Sequence, residues 1–138
     1  MNIMKTQNGS VLLEALISIL IFAFGVLALF GMQSVALKNM SQANYRATAV
    51  FLTSQLVGTV QGDINHLADY NYASGTAPAK VQPWLDQVAA VLPSGTGTVA
   101  AVEESATAPK NGTLTVTVTW QLPGQSTNRH SVSSYVAY

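Results

Sequence analysis

Glu14 is the only charged residue in a long run of apolar and small residues, and the next charge along the chain is Lys38. A charged side chain near the middle of a membrane helix costs about 2.5–3.5 kcal/mol on insertion scales. A carboxylate in such a sequence is therefore expected to have a function and a partner of opposite charge. The chemistry that Glu14 predicts is ionic pairing with a cation that has to be found.

The other residue types that carry chemistry do not form a recognisable site. Neither His66 nor His130 has a second ligand at the i, i+4 spacing of a metal site, and the chain contains no cysteine. Residues 95–97 (GTG) lack the third glycine and the following helix of a phosphate-binding loop, so they predict a turn into a strand. No G-x-S-x-G motif occurs. We therefore expect no metal, no cofactor and no enzymatic activity.

The charged residues of the chain are few and scattered. Six Lys and Arg balance six Asp and Glu, and together they make up 9% of the chain against a usual figure of about 25%. Because the basic residues do not cluster, we expect no binding to nucleic acid. The acidic residues lack the spacing of a calcium-binding loop and are expected to be solvated surface charges. A surface so poor in charge suits association with other proteins.

Residues 11–32 predict a membrane-spanning helix. At 1.5 Å per residue these 22 residues rise about 33 Å, which exceeds the roughly 30 Å of the hydrocarbon core of a bilayer. The alternative is a secretory signal with Lys5 as its charged region and residues 34–36 (SVA) as its cleavage site. An apolar core of about 7–15 residues is typical of such signals, so the longer run favours the membrane helix.

The helix is predicted to continue beyond the membrane segment, because no proline or turn cluster occurs between Met32 and Gly58. We place the whole helix at residues 10–67. Two apolar stripes recur along it at spacings of three and four. The small-residue stripe comprises Ala36, Met40, Ala43, Ala47, Val50, Ser54 and Val57, and the bulky stripe comprises Leu52, Leu56, Val60, Ile64 and Leu67. Either the bulky stripe packs on the chain's own head and the small-residue stripe on neighbouring helices, or both form one wide core face.

Residues 68–138 predict one small globular head. A loop rich in Tyr, Asn, Ser, Gly and Pro precedes a short helix expected near residues 84–92. Alternating apolar and hydroxyl residues at 114–120 predict a half-buried strand, with weaker strand candidates at 98–102 and 132–138. The expected fold class is α+β, with a long N-terminal helix, half membrane-spanning and half amphipathic, packed on a small antiparallel sheet.

Residues 9–14 (GSVLLE), followed by an apolar run and an amphipathic extension, resemble the class III signal of type IV pilins and of type II secretion pseudopilins. The resemblance implies a leader peptide, residues 1–9, that a prepilin peptidase removes by cutting between Gly9 and Ser10. It also implies methylation of the new amino terminus on Ser10. In this family the carboxylate at the position of Glu14 pairs with the amino terminus of an adjacent subunit, which would supply the missing cation.

Three further segments are similar to the PilV group of minor type IV pilins, namely residues 15–29, 91–97 and 116–120. The likeness implies a pilin-like fold and a low-abundance subunit of the priming or tip complex, which promotes pilus assembly and supports adhesion and twitching motility. The implied partners are other minor pilins, the assembly machinery and a tip adhesin. The implied location is the bacterial inner membrane, with the head in the periplasm, and then the pilus.

The chain departs from the major pilins at three points. Ser10 replaces the usual phenylalanine or methionine, and Gly31 stands about where many pilins have a helix-kinking proline. Helix flexibility is therefore expected from glycine, at Gly25 and Gly31. The absence of cysteine excludes the C-terminal disulfide loop of major pilins, which favours a minor subunit.

Two other functions are alternatives to the minor pilin. One is the minor pseudopilin of a type II secretion system, which shares the leader and the fold. The other is a signal-anchored envelope protein whose head binds a ligand and never polymerises. Glu14 argues against the second alternative, because a simple anchor has no use for a carboxylate in its apolar run.

Overall fold

The N-terminal part of the chain is one long α-helix, α1, which covers Asn8–Gly62. The structure is a computed structural model and describes residues 8–105 and 110–137. Residues 1–7 of the predicted leader and Tyr138 at the end of the last predicted strand lie outside the described residues. The long N-terminal helix that the apolar run predicts is therefore present.

The α-helix ends at Gly62, so the expected helix over residues 10–67 is too long. Asp63 leaves the helical region with φ −131° and ψ 40°, and Ile64–Tyr70 then forms a 3-10 helix. Glycine lowers the stability of a helix by about 0.8–1.0 kcal/mol relative to alanine, which favours an end at this point. This segment is interrupted by a kink at His66, whose φ of −121° and ψ of 28° are not helical. The buried side chains of this segment are Ile64, Leu67 and Tyr70.

A second α-helix, α2, covers Gln82–Val91, close to the short helix expected at residues 84–92. Pro83 lies in its first turn, where the missing N–H costs no hydrogen bond. The Trp84 ring is buried, and its indole N–H donates to the backbone carbonyl of Leu52 at 2.9 Å. Trp84 is therefore a core residue that fixes α2 against α1.

Three antiparallel strands form one sheet in the order β1-β2-β3. Strand β1 covers Thr96–Ser105, β2 covers Asn111–Trp120, and β3 covers Asn128–Ala137. Each strand is longer than its predicted segment, because polar residues at the strand ends pair in register with their neighbours, as Asn111 does with Ala137. The long helix and the three-stranded antiparallel sheet confirm the α+β class.

The chain divides into two compact units, Met1–Gln42 and Ala43–Tyr138, and the hydrophobic core lies in the second. Helix α1 contributes Ala49, Leu52, Leu56 and Val60 to this core, and β2 contributes Leu114, Val116, Val118 and Trp120. The small-residue stripe is exposed from Ala36 to Ser54, and Val50 within it is 41% exposed. The bulky stripe packs on the head, and of the small-residue stripe only Val57, at its end, is partly buried against the core, so the two stripes do not form a single wide core face.

Residues 95–97 form a tight entry into β1, which begins at Thr96. A Cβ atom added at Gly97 would lie 2.5 Å from the ring of Trp84, and one added at Gly95 would lie 2.6 Å from the backbone oxygen of Val88. Both glycines therefore allow the strand to approach α2 closely. The turn into a strand that the sequence predicts at this place is confirmed.

Candidate functional site

Glu14 lies in α1 among apolar side chains that are exposed on every face of the helix. Its neighbours are between 47% and 66% exposed, and they are Val11, Leu12, Leu13, Leu16, Ile17 and Ile19. A helix that is apolar all round is normally buried in a membrane or between other helices. This part of α1 therefore presents a surface that needs a nonpolar environment.

Helix α1 is the one helix in residues 8–105 and 110–137 that is long and apolar enough to cross a membrane. Its most apolar 18-residue window has a mean hydropathy of 2.6, and none of that window is buried within the molecule. A segment of this length and composition is compatible with a transmembrane anchor near the N-terminus.

The Glu14 carboxylate has no ion-pair partner among the described residues. The first described basic residue along α1 is Lys38, which is 24 positions away. At 1.5 Å per residue the two residues are separated by about 36 Å along the helix axis. The described part of α1 therefore supplies no cation to Glu14.

Ser10, Glu14 and Ser18 follow one another at intervals of four residues and lie on the same face of α1. This narrow polar strip interrupts the apolar surface of residues 10–18 of the helix. The sequence shows the i, i+4 spacing, although Ser18 does not stand out from the sequence as a site residue. A cut before Ser10 would create an amine on the same face, one helical turn from Glu14.

Gly9 and Ser10 are exposed in the first turn of α1, and a Cβ atom built at Gly9 meets no other atom within 4 Å. The helix continues without a break through Gly25 and Gly31, where an added Cβ also meets nothing within 4 Å. Neither of these two glycines is required by close packing within the described residues. The flexibility of α1 at these positions stays a prediction.

A polar cluster joins the C-terminal end of α1 to the loop before α2. The Asp63 carboxylate accepts hydrogen bonds from the Lys80 ammonium and, at 3.0 Å, from the Tyr70 hydroxyl. Its other oxygen lies 2.6 Å from Nδ1 of His66. The Lys80 ammonium also lies 5.3 Å from the centre of the Tyr70 ring, within the range of a cation–π contact.

These contacts shift two pKa values in opposite directions. Hydrogen bonds from Lys80 and then from His66 hold the pKa of the Asp63 carboxyl well below its ordinary value of 3.8. Burial, followed by the hydrogen bond to Asp63, raises the pKa of Tyr70 to about 12. The cluster thus ties the end of α1 to the segment before α2. The sequence alone does not reveal it, because Lys80 is 17 positions from its partner.

The described part of the chain contains no group of three His, Asp or Glu side chains that could hold a metal ion. Comparison of the chain with protein-family models, with characterised proteins and with solved structures found no match. Among the described residues of this chain, Glu14 in its apolar helix is the most unusual arrangement.

Proposed function

We propose that this chain is a minor type IV pilin, a subunit of the priming or tip complex that promotes pilus assembly. The observation that carries the proposal is the Glu14 carboxylate, exposed on an apolar helix that offers it no cation. In a subunit that packs beside others, a neighbouring subunit can neutralise the unpaired carboxylate. The chain is then a structural component and catalyses no reaction.

The missing cation is the amino terminus that a prepilin peptidase creates by cutting between Gly9 and Ser10. Two opposite unit charges 4 Å apart attract each other by about 4 kcal/mol at an effective dielectric constant of 20. Either charge alone would be buried in the nonpolar surroundings of the helices without an opposite charge to compensate it. The ion pair therefore stabilises the docking of the new amino terminus of one subunit beside Glu14 of the next.

The exposed small-residue stripe supports packing against neighbouring helices. Small side chains let the backbones of neighbouring helices approach one another closely. The stripe is exposed while the bulky stripe is occupied by the head, so α1 keeps a free face for other subunits. We propose other minor pilins, the assembly machinery and a tip adhesin as partners, and the inner membrane followed by the pilus as the location.

A minor pseudopilin of a type II secretion system is the second candidate, because Glu14 and the small-residue stripe support it equally. Both functions place the chain in a filament, and they differ in the neighbouring subunits. Isolation of the tagged chain from its native envelope distinguishes them. Co-purification with pilus subunits supports the first function, and co-purification with secretion-system subunits supports the second.

The experiment that tests the proposal replaces the carboxylate and measures incorporation. We expect Glu14→Val to insert into the membrane and to be cleaved normally, yet to be depleted about tenfold or more from filaments, because breaking a buried ion pair costs about 3–5 kcal/mol. Immunoblots of the membrane fraction and of sheared filaments give the two amounts. Ser18→Val is the matched control, since it makes a polar-to-valine change on the same helix face.

The control variant is expected to enter filaments at the level of the original chain. Normal incorporation of Glu14→Val would overturn the proposal. It would favour the signal-anchored envelope protein, for which this carboxylate has no role.

A further inference from the structure

The two faces of the sheet differ in their chemistry. The side of β2 that faces the hydrophobic core carries Leu114, Val116, Val118 and Trp120. Because side chains alternate along a strand, the threonines between these residues lie on the opposite side. The pairing registers extend that side over four rows of three residues, from the row of Thr96, Thr119 and Arg129 to the row of Val102, Thr113 and Tyr135. We call these twelve residues the hydroxyl face.

Hydroxyl groups dominate this face. Nine of its twelve side chains carry one, and they are Thr96, Thr98, Thr113, Thr115, Thr117, Thr119, Ser131, Ser133 and Tyr135. The residues on the two outer strands are exposed to solvent, and Tyr135 is 57% exposed. The threonines of β2 lie between them and are half-buried, or buried at Thr117. The face is therefore accessible to a ligand along both outer strands.

Three pairs of hydroxyl groups are hydrogen-bonded across the strands of this face. They are Thr96 with Thr119 at 2.6 Å, Thr115 with Ser133 at 2.8 Å, and Thr117 with Ser131 at 2.8 Å. One hydroxyl of each pair donates to the other, so the accepting hydroxyl keeps its own proton for a further bond. Both oxygens also keep lone pairs. Each pair thus offers a donor and several acceptors to a ligand.

The composition of the hydroxyl face distinguishes between classes of ligand. Its one charged residue is Arg129, in the first row, so it lacks the basic cluster that binds nucleic acid. It also lacks the broad apolar surface that binds a lipid bilayer. Serine and threonine are under-represented among the residues that dominate protein interfaces. An uncharged ligand that is itself rich in hydroxyl groups fits this face best.

We propose that the hydroxyl face binds a linear, uncharged oligosaccharide. The exposed Tyr135 ring stacks on the C–H groups at the flat side of one sugar ring. Ser133 is the next residue of β3 on this face, about 6.8 Å along the strand, and its pair with Thr115 exchanges hydrogen bonds with the hydroxyls of the adjoining sugar. This inference goes beyond the proposed function and does not depend on the pairing of Glu14.

NMR titration of the full chain in phosphatidylcholine nanodiscs tests the proposal, since detergents with sugar headgroups would compete for the face. The probes are the neutral hexasaccharides cellohexaose, chitohexaose and maltohexaose. We expect at least one of them to bind with a dissociation constant below about 1 mM. The anionic hexagalacturonate should bind no more tightly than that neutral probe.

Two substitutions at residue 135 test the stacking contact. Tyr135→Ser should weaken binding about tenfold or more, because it removes the ring, whereas Tyr135→Phe should keep the affinity within about threefold. Phe51→Ser is the matched control, since it removes a ring that is 63% exposed on α1. The control should bind the hexasaccharide like the original chain.

Removal of one hydroxyl pair tests the polar contact. Thr115→Val combined with Ser133→Ala should also weaken binding about tenfold, because the sugar hydroxyls then lose their partners. Thr48→Val, which removes an exposed hydroxyl of α1, should leave binding unchanged. Failure of all three neutral probes to bind, tighter binding of hexagalacturonate, or unchanged binding by Tyr135→Ser would overturn the proposal.

Discussion

Two carboxylates of this chain, Asp63 and Glu14, lie in contrasting environments. Asp63 is about one-third exposed and collects hydrogen bonds from Lys80, Tyr70 and His66. Glu14 lies on an apolar helix without an ion-pair partner among the described residues. The first arrangement is complete within one molecule and stabilises the head. The second is incomplete, and we propose that the amino terminus of a neighbouring subunit completes it.

Acidification should destabilise the head through Asp63. Its pKa is lowered in the folded state, so the unfolded chain binds more protons as the pH falls below the ordinary value of 3.8. The stability that Asp63 contributes is therefore present above about pH 4 and is lost as the pH falls further. Urea unfolding of the full chain in detergent, followed by the fluorescence of Trp84 and Trp120, measures this loss.

Asp63→Asn should flatten this loss of stability at acid pH. Asp86→Asn is the matched control, since its carboxylate accepts a hydrogen bond from the Gln82 side chain on the same helix. The control should keep the acid dependence of the original chain. An unchanged acid dependence in Asp63→Asn would contradict the assignment.

Gly97→Ala should destabilise the head by about 1–3 kcal/mol, because overpacking forces core side chains to move. The added methyl group would meet the Trp84 ring at 2.5 Å. Gly58→Ala is the comparison, since its added methyl group meets nothing within 4 Å inside α1. That change should stabilise the helix by about 0.8–1.0 kcal/mol. Urea unfolding measures both, and equal effects would show that close packing does not require Gly97.

At the scale of elements, α1 has a different surface in each unit of the chain. In the first unit it is apolar all round and exposed. In the second unit the bulky stripe is buried against the head, and the small-residue stripe is exposed. This division explains why a single helix carries two apolar stripes. One stripe stabilises the fold, and we propose that the other serves assembly.

Leu56→Ala and Val50→Ala should separate these two roles. Leu56 is 3% exposed, so its truncation should lower the free energy of unfolding of the head by about 2–5 kcal/mol. Val50 is on the exposed stripe, and its truncation should change that free energy by less than about 0.5 kcal/mol. Filament incorporation of Val50→Ala should nevertheless fall. A large loss of stability in Val50→Ala would contradict the division.

The sequence predicts the elements better than their ends. The uninterrupted apolar run predicts the first part of α1, the spacing of three and four predicts its continuation, and the alternation from Leu114 to Trp120 predicts β2. The α-helix stops at Gly62 instead of residue 67, where a 3-10 helix keeps the same residues buried. Whether residues after Gly62 form an α-helix or a 3-10 helix depends on tertiary packing. Periodicity does not distinguish the two helix types over so short a segment.

Prediction from the sequence has the same limit for the sites as for the ends of the elements. Glu14 stands out from the sequence because its environment is local, a run of neighbouring apolar residues. The Asp63 cluster does not stand out, since Lys80 reaches it across a loop. The hydroxyl face also requires the strand order, which places β2 in the centre of the sheet. Interactions between distant segments are therefore what the sequence leaves undetermined.

At the scale of the whole molecule, the chain combines an exposed apolar helix with a head that has its own core and few charges. A free monomer in water would leave the apolar helix surface unprotected. A membrane provides suitable surroundings for this surface, and we propose that neighbouring helices provide them after assembly. We propose that one covalent event, a cut between Gly9 and Ser10, removes the leader and creates an amine near Glu14.

Mass spectrometry of the mature amino terminus tests this central claim most directly. We predict that the chain isolated from its native membrane begins at N-methylated Ser10, and that Gly9→Val keeps the leader intact. The variant is the internal control, because it alters only the residue before the cut. A mature chain that begins at Leu37, or one that retains Met1 in the native membrane, would contradict the account.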